Sequence, residues 1–312
     1  MPLISVIIPL YNKEQFIEAT LLSVLNQTFS DFEIIIINDG STDKSVEVVN
    51  SFDDNRIILY TTKNKGVSHA RNFAISKANS DLIALLDGDD QWEPTHLENL
   101  YKLYTNFPHC GLYATAYHKQ FFNGKKMKAH FNGVSSDHFG VIEDYFLASI
   151  IDSIAWTSAV MIPKNTFENI GDFDEDMRSG QDTDLWVRIA LKKSIAFSAI
   201  SSANKIILDP QQHLSYSSNR SDRMKLFENF KNLDSKSKSF KKYMDLNRFS
   251  VAIERKLAGD LSAFLRLKKE IDILNLNTKQ LILLNTPAVV IRLFKKVQFL
   301  LLRLNIYLTP FK

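Results

Sequence analysis

Short apolar runs alternate with amphipathic stretches through the first hundred residues, and this alternation constrains the fold before any motif is considered. Strands are predicted over Ile4–Leu10, Phe32–Ile37, Ile57–Thr61 and Leu82–Leu86, and helices over Lys13–Asn26, Thr42–Phe52, Val67–Ala78 and Pro94–Phe107. A run such as Ile34-Ile35-Ile36-Ile37 has no period of two, as expected of a strand covered on both faces. Strands that alternate with helices imply a parallel sheet joined by right-handed crossovers. Ser41-Thr42-Asp43 offers capping residues to the second helix, and Pro94 stands near the start of the fourth, where its missing N–H costs nothing.

The expected fold class is therefore α/β: a single nucleotide-binding, Rossmann-like domain with a mostly parallel central sheet, followed by a helical C-terminal extension. From Cys110 to Phe131 the pattern changes to short β-like pieces; Ile142–Ile151 reads as a helix and Ala155–Ile162 as a further strand. After about Asn219 the chain becomes rich in Lys, Ser and Leu, so the main domain is expected over 1–219 and a basic helical region over 220–312. With 45% hydrophobic residues in a chain of 312, material for a core is ample. The lone Cys110 excludes an intramolecular disulfide and fits a reducing compartment, where it reads as a small apolar residue. Met1–Leu10 has neither a basic leader nor a small-residue cleavage site, so a cytoplasmic location is expected.

The chemistry is concentrated where Leu82-Ile83-Ala84-Leu85-Leu86 gives way to Asp87-Gly88-Asp89-Asp90. Ligands of open α/β sheets bind beyond the carboxyl ends of such strands. Like charges ~4 Å apart repel by about 4 kcal/mol at an effective dielectric of 20, so crowded carboxylates there imply a bound cation or a raised pKa. Magnesium and manganese take carboxylate oxygens and bridge to substrate phosphates, which points to a nucleoside diphosphate ligand.

Five short motifs occur in order: Pro9-Leu10-Tyr11-Asn12, Asn38-Asp39-Gly40-Ser41, Ala70-Arg71-Asn72, Asp87-Gly88-Asp89-Asp90 and Gly180-Gln181-Asp182. Together they resemble the family 2 inverting glycosyltransferases over about the first 215 residues. The resemblance implies a glycosyltransferase A-type fold, a nucleoside diphosphate sugar donor (UDP favoured) and a divalent metal, Mn2+ or Mg2+. It divides 1–219 into a donor half, 1–109, and an acceptor half, 110–219. It also implies donor contacts from Pro9, Tyr11, Asn12, Asp39, Arg71, Asp87 and Gly88, metal contacts from Asp89 and His213, and Asp182 as the base.

Elementary chemistry reads the same residues with its own alternatives. Asp39, at a second strand end, can accept from a base N–H or a ribose hydroxyl, or it is a turn residue. Tyr11 can stack on the base or fill the core. Arg71 offers a rigid fork of donors suited to phosphate oxygens, or it is a helix charge paired with one of the acids. Asp90 supports the acid cluster from behind, and Gly88 allows close backbone approach. Asp182 is either the N-cap of the helix that follows or a carboxylate at its positive end. Gln181, Trp156 and Trp186 are candidate acceptor contacts, the two indoles alternatively being core.

From Ile273 to Lys312 there is no Asp or Glu, while Lys279, Arg292, Lys295, Lys296, Arg303 and Lys312 are interleaved with aliphatic residues. Ile291, Phe294, Val297 and Leu301 fall at helical spacing, so docking on an anionic inner leaflet is expected, with packing on the main domain or an oligomer contact as the alternative. Charges recur too often for a membrane span, and the aliphatic content argues for lipid rather than nucleic acid. The expected activity is transfer of a hexosyl or N-acetylhexosaminyl group to a saccharide or lipid-linked acceptor in surface polysaccharide or lipopolysaccharide synthesis. The alternative is a non-catalytic nucleotide-sugar or glycan-binding module. A dinucleotide-binding Gly-x-Gly-x-x-Gly after the first strand is missing.

Overall fold

The computed structural model describes residues 1–207, 223–233, 237–303 and 309–311. The chain divides into two units. One contains residues 1–129, 134–145 and 154–207; the other contains 130–133, 146–153 and the described residues from 223 onward.

The first unit is built on an open sheet. Strands β1 (Ile4–Leu10), β2 (Phe32–Asp39), β3 (Ile57–Thr62) and β4 (Leu82–Leu85) are parallel, in the order β3-β2-β1-β4. They alternate with α1 (Ile17–Leu25), α2 (Ser45–Asn50) and α3 (Val67–Lys77). Every residue of β2 is buried, as its unbroken isoleucine run requires. Burying each such side chain contributes about 1.5–3 kcal/mol.

Next along the chain are β5 (Gln91–Trp92), α4 (His96–Asn106), β6 (Leu112–Phe121), β7 (Lys126–Lys128), β8 (Phe139–Val141), α5 (Tyr145–Ala148), β9 (Val160–Pro163), α6 (Lys164–Ile170), α7 (Gln181–Ala190) and β10 (Ile195–Ile207). The sheet continues β4-β9-β6-β10-β5, with β7 on β6 and β8 on β10. It is parallel through β4 and mixed beyond. β9 enters from a short 3-10 turn, Thr157–Ala159, beside the carboxyl end of β4, so it runs back antiparallel with Leu85 opposite Val160 and Leu82 opposite Pro163.

Three segments differ from expectation. Of the pieces after Cys110, the first is one ten-residue strand, β6, and a short one remains as β7. The helix expected over Ile142–Ile151 shortens to α5, whose residues from Phe146 onward belong to the second unit, where the Phe146 ring packs on Phe240 and Tyr243 at 4.9 and 5.5 Å. β10 was not anticipated, since Ser198, Ser201, Ser202 and Asn204 interrupt its apolar pattern. Its buried Ser202 is satisfied internally, its hydroxyl donating to Thr115 Oγ1 and lying 2.8 Å from His96 Nδ1. Burial pushes the His96 imidazole down to about 3, so it is a neutral core residue stacked on Trp92.

The second unit is helical: α8 (Arg223–Asn229), α9 (Lys238–Ala258), α10 (Leu261–Glu270), α11 (Thr278–Asn285) and α12 (Ala288–Arg303). Ser237, Asp260 and Asn277 each accept a backbone N–H at a helix start, and Gly259 ends α9 in the left-handed conformation. α9 is the central element, burying Phe240, Tyr243, Met244, Phe249 and a charged hub at Asp245. No helix among the described residues is long and apolar enough to cross a membrane.

Candidate active site

Parallel pairing of β2, β1 and β4 sets Leu10 opposite Asn38 and Ile7 opposite Leu85, so the three carboxyl ends open along one sheet edge. The loops leaving them are tied together by their own polar residues. Asn12 has a left-handed backbone, φ 51°, and its Oδ1 accepts from Thr42 N at 2.8 Å, while Ser41 Oγ accepts from Asn12 N at 3.1 Å. Asn38 Oδ1 closes the next turn by accepting from Ser41 N. Tyr11 is exposed, which excludes the core alternative and leaves its ring available beside the strand end. Pro9 lies within β1, opposite Ile37.

Asp39 is 3% exposed, and its two carboxylate oxygens accept from the backbone N–H groups of Lys65 and Gly66, both at 2.8 Å. It therefore fixes the β3–α3 loop and the start of α3, for which Gly66 is the N-cap. A carboxylate has about four acceptor positions, so this leaves capacity for a ligand. One turn further along α3, Arg71 is buried and donates from Nη2 to Asp87 Oδ1 at 2.5 Å. Its Nε and Nη1 are buried without a hydrogen-bond partner among the described residues. Unpaired buried donors on a guanidinium are costly, and an anion beside Asp87 would satisfy them.

The acid loop divides into a buried pin and two accessible carboxylates. Asp90 accepts from Ser158 Oγ at 2.6 Å and from Ile206 N at 3.0 Å, which fastens the loop to the sheet. Burial, followed by the charges of Asp89 and Asp87, holds its carboxyl well above the ordinary range. Ser158 Oγ also accepts from Asp87 N. A Cβ on Gly88 would lie 3.3 Å from the Pro9 carbonyl oxygen, so the loop passes against the end of β1. Asp87 and Asp89 keep 31% and 23% of their side chains accessible, and Lys13 Nζ lies 2.5 Å from Asp89 Oδ2. Among the described residues no three metal-type side chains converge. Two carboxylates nevertheless fit a hard cation that draws its remaining ligands from phosphate and water. His213 lies outside the described residues.

Helix α7 presents the last acid. Gly180, in the left-handed conformation, is its N-cap, so Asp182 occupies the first turn rather than the cap. Asp182 is half-buried and accepts from Thr183 N at 2.6 Å, at the helix end whose dipole favours negative charge. Asp184 and Arg188 anchor the same helix, Arg188 donating to the carbonyl oxygens of Ile170, Gly171 and Asp172. Gln181 is buried with Oε1 unpaired among the described residues.

The two indoles lie in packed surroundings. Trp186 is 2% exposed and packs edge-on to Phe173, while Trp156 is tilted against Tyr117 at 4.6 Å with the Lys205 ammonium 5.5 Å from its ring centre. Both rings are buried, and the Trp186 indole N–H has no hydrogen-bond partner among the described residues. Lys13 and Ser158 were missed: Lys13 is adjacent to a motif, but nothing local pairs it with Asp89, and Ser158 is one serine among many.

α3 is the common element of this site. Its preceding loop is held by Asp39, its Arg71 by Asp87, and its Asn72 by the Phe173 backbone upstream of α7.

Residues 5–171, more than half of the chain, match the sequence profile of Glycosyl transferase family 2. An uncharacterized glycosyltransferase of Haemophilus influenzae is 46% identical over 93 residues, 29% of this chain and 37% of that protein. A putative teichuronic acid biosynthesis glycosyltransferase of Bacillus subtilis, TuaG, is 41% identical over 100 residues, 31% of this chain and 40% of that one. The matches thus span less than half of the length of either of these two relatives. The Staphylococcus aureus TarS fragment 1–349, solved in complex with UDP-GlcNAc, superposes with a TM-score of 0.66 at 16% identity, covering 88% of this chain and 82% of that one. This last likeness shows the glycosyltransferase A-type architecture, an α/β fold with a central open sheet. The profile match and the site geometry lead to one conclusion: the chain belongs to glycosyl transferase family 2.

Proposed function

We propose that this protein is an inverting glycosyltransferase that moves a sugar from a nucleoside diphosphate donor, most simply a UDP-sugar, to a saccharide or lipid-linked saccharide in surface polysaccharide synthesis. Tyr11 and Asp39 hold the nucleoside, and Arg71 meets the diphosphate with its two unpaired donors. Asp89, assisted by Asp87, would hold a Mn2+ or Mg2+ ion, which when bound neutralises charge on the leaving diphosphate. Asp182 takes the proton from the acceptor hydroxyl as its oxygen bonds to the anomeric carbon. The bond from that carbon to the diphosphate oxygen breaks, and the nucleoside diphosphate leaves with the electron pair, so one displacement inverts the centre.

The observation that carries this reading is α3, one helix joined to the Asp39 strand end, to the Asp87 loop and to the segment that leads into α7. The test is a panel of nucleotide sugars, with and without manganese, scored for donor hydrolysis, together with UDP affinity. UDP is expected to bind and at least one donor to turn over. UDP binding with no turnover of any donor would favour a binding module. Because hydrogen bonds to charged groups contribute about 1.5–3 kcal/mol, Arg71→Met is expected to weaken UDP binding by about tenfold or more. Unchanged affinity would remove Arg71 from the diphosphate.

The second unit supports attachment to an anionic membrane surface. Along α12, Val289, Leu293, Phe294 and Val297 are exposed beside Arg292, Lys295 and Lys296, while Ile291 is the buried anchor. Aliphatic and basic side chains on one helix, in a segment without acids, complement the inner leaflet, where a lipid-linked acceptor would lie. The full chain is expected to sediment with phosphatidylglycerol vesicles and not with phosphatidylcholine. Replacing both Leu293 and Phe294 with Ser should weaken this by about tenfold or more, since each buried side chain contributes about 1.5–3 kcal/mol. Equal sedimentation of the variant, or self-association in place of vesicle binding, would refute the membrane assignment.

A further inference from the structure

Helix α3 holds the segment that leads into α7 by three of its side chains. The Asn72 carboxamide brackets a single residue: its Oδ1 accepts from Phe173 N at 3.0 Å, and its Nδ2 donates to Phe173 O at 2.9 Å. The same Nδ2 donates to Glu175 Oε1 at 3.0 Å, and the other Glu175 oxygen lies 3.1 Å from His69 Nδ1. Ser68 Oγ donates to Met177 O at 3.4 Å. Between α6 and α7 the chain has no regular secondary structure, so its backbone groups depend on such partners. Arg188 of α7 holds the carbonyls of residues 170–172 from the other side. The Phe173 ring completes the link, lying 5.2 Å from the Arg71 guanidinium and edge-on to Trp186 of α7. The hydrogen bond from Asn72, opposed by burial and aided by His69, holds the Glu175 carboxyl below its ordinary range, which keeps it an acceptor.

We propose that Asn72 and Glu175 are positioning residues: the suture they form sets the separation between α3, which carries Arg71, and α7, which carries Asp182. The proposal rests on the reading of Asp182 as the base. In-line displacement needs the acceptor oxygen, the anomeric carbon and the leaving oxygen aligned, and a shift of about 1 Å costs about 10²-fold in rate. Asn72 is suited to this because a carboxamide both donates and accepts, and so fixes the N–H and C=O of one residue together.

The test uses the full chain, a nucleotide sugar that the wild type hydrolyses, UDP as the binding probe, and hydrogen exchange at the Phe173 amide. Asn72→Ala is expected to lower kcat by about 10–100-fold, to speed Phe173 exchange, and to leave UDP affinity within about twofold. Asn72→Asp alone should also be impaired, because it sets a carboxylate against both the Glu175 carboxylate and the Phe173 carbonyl oxygen, each of which now accepts from Asn72 Nδ2. Adding Glu175→Gln removes the repulsion between the two acids and supplies an amide that donates to the new carboxylate, while the Phe173 carbonyl still lacks its donor, so the pair is expected to recover at least about fivefold in kcat over Asn72→Asp alone without reaching wild type. A kcat for Asn72→Ala within about threefold of wild type, with Asp182→Asn inactive, overturns the suture and leaves the base intact. Loss of UDP affinity and thermal stability in step with kcat also overturns it, since Asn72 would then be merely structural. An active Asp182→Asn removes the base reading itself. Should Asn72→Ala fail to fold, the paired exchange decides, and absence of rescue refutes the proposal.

Discussion

Asp182→Asn is expected to lower transfer by about 10²–10⁴-fold, the contribution of a positioned general base, while UDP affinity stays within about twofold. The substitution is nearly isosteric. Its remaining oxygen can still accept from Thr183 N, so the first turn of α7 loses neither its hydrogen bond nor its shape. Only the capacity to take a proton is removed. Asp39, Arg71 and Asp87, which are proposed to meet the nucleotide sugar, belong to other segments and are untouched. The check is single-turnover transfer with saturating donor, paired with calorimetric UDP binding. Near-normal turnover would return Asp182 to a helix-end role, and a parallel loss of UDP binding would place it on the donor instead.

The second large effect concerns stability. Asp245 is fully buried in α9, and its carboxylate accepts from Lys241 Nζ, from Arg248 Nη1 at 3.1 Å, from Asp272 N at 3.2 Å and from Asn275 Nδ2 at 2.8 Å. Arg248 is equally buried, 1% exposed, with its guanidinium over the Phe227 ring. Asp245→Asn leaves that guanidinium without its nearest counter-charge and turns an amide N–H₂ toward groups of which only the Asn275 carboxamide can also accept. Breaking a buried pair from one side costs about 3–5 kcal/mol, so the helical unit should melt well below wild type. Denaturant unfolding followed by helical signal measures this. A change of less than about 1 kcal/mol would show that Glu270, whose Oε2 lies 3.6 Å from Arg248 Nε, already carries the charge balance.

Legibility followed the range of the interactions. The first four strands and three helices stand close to where periodicity put them, because each is specified by its own residues. β10 was not legible: its serines look like loop until Ser202 is seen paired with Thr115 and lying beside His96. Trp156 and Trp186, read either as acceptor contacts or as core, are both buried. Each is a plausible sugar platform in a list of motifs, yet Tyr117 and Lys205 cover one and Phe173 meets the other. Asp182 was read between two roles, and a single backbone dihedral, the left-handed φ of 82° at Gly180, moved the cap two residues upstream.

By itself the sequence determined that this chain builds an α/β sheet and sets its acids at strand ends, since an apolar run that stops abruptly at Asp39 or Asp87 defines both a strand and its edge. Tertiary structure alone decided which polar groups meet: Lys13 with Asp89, Arg71 with Asp87, Asn72 with the Phe173 backbone. Those partners lie 16 to 101 residues apart. Their approach is fixed by strand register and helix packing, which no local pattern of side chains records.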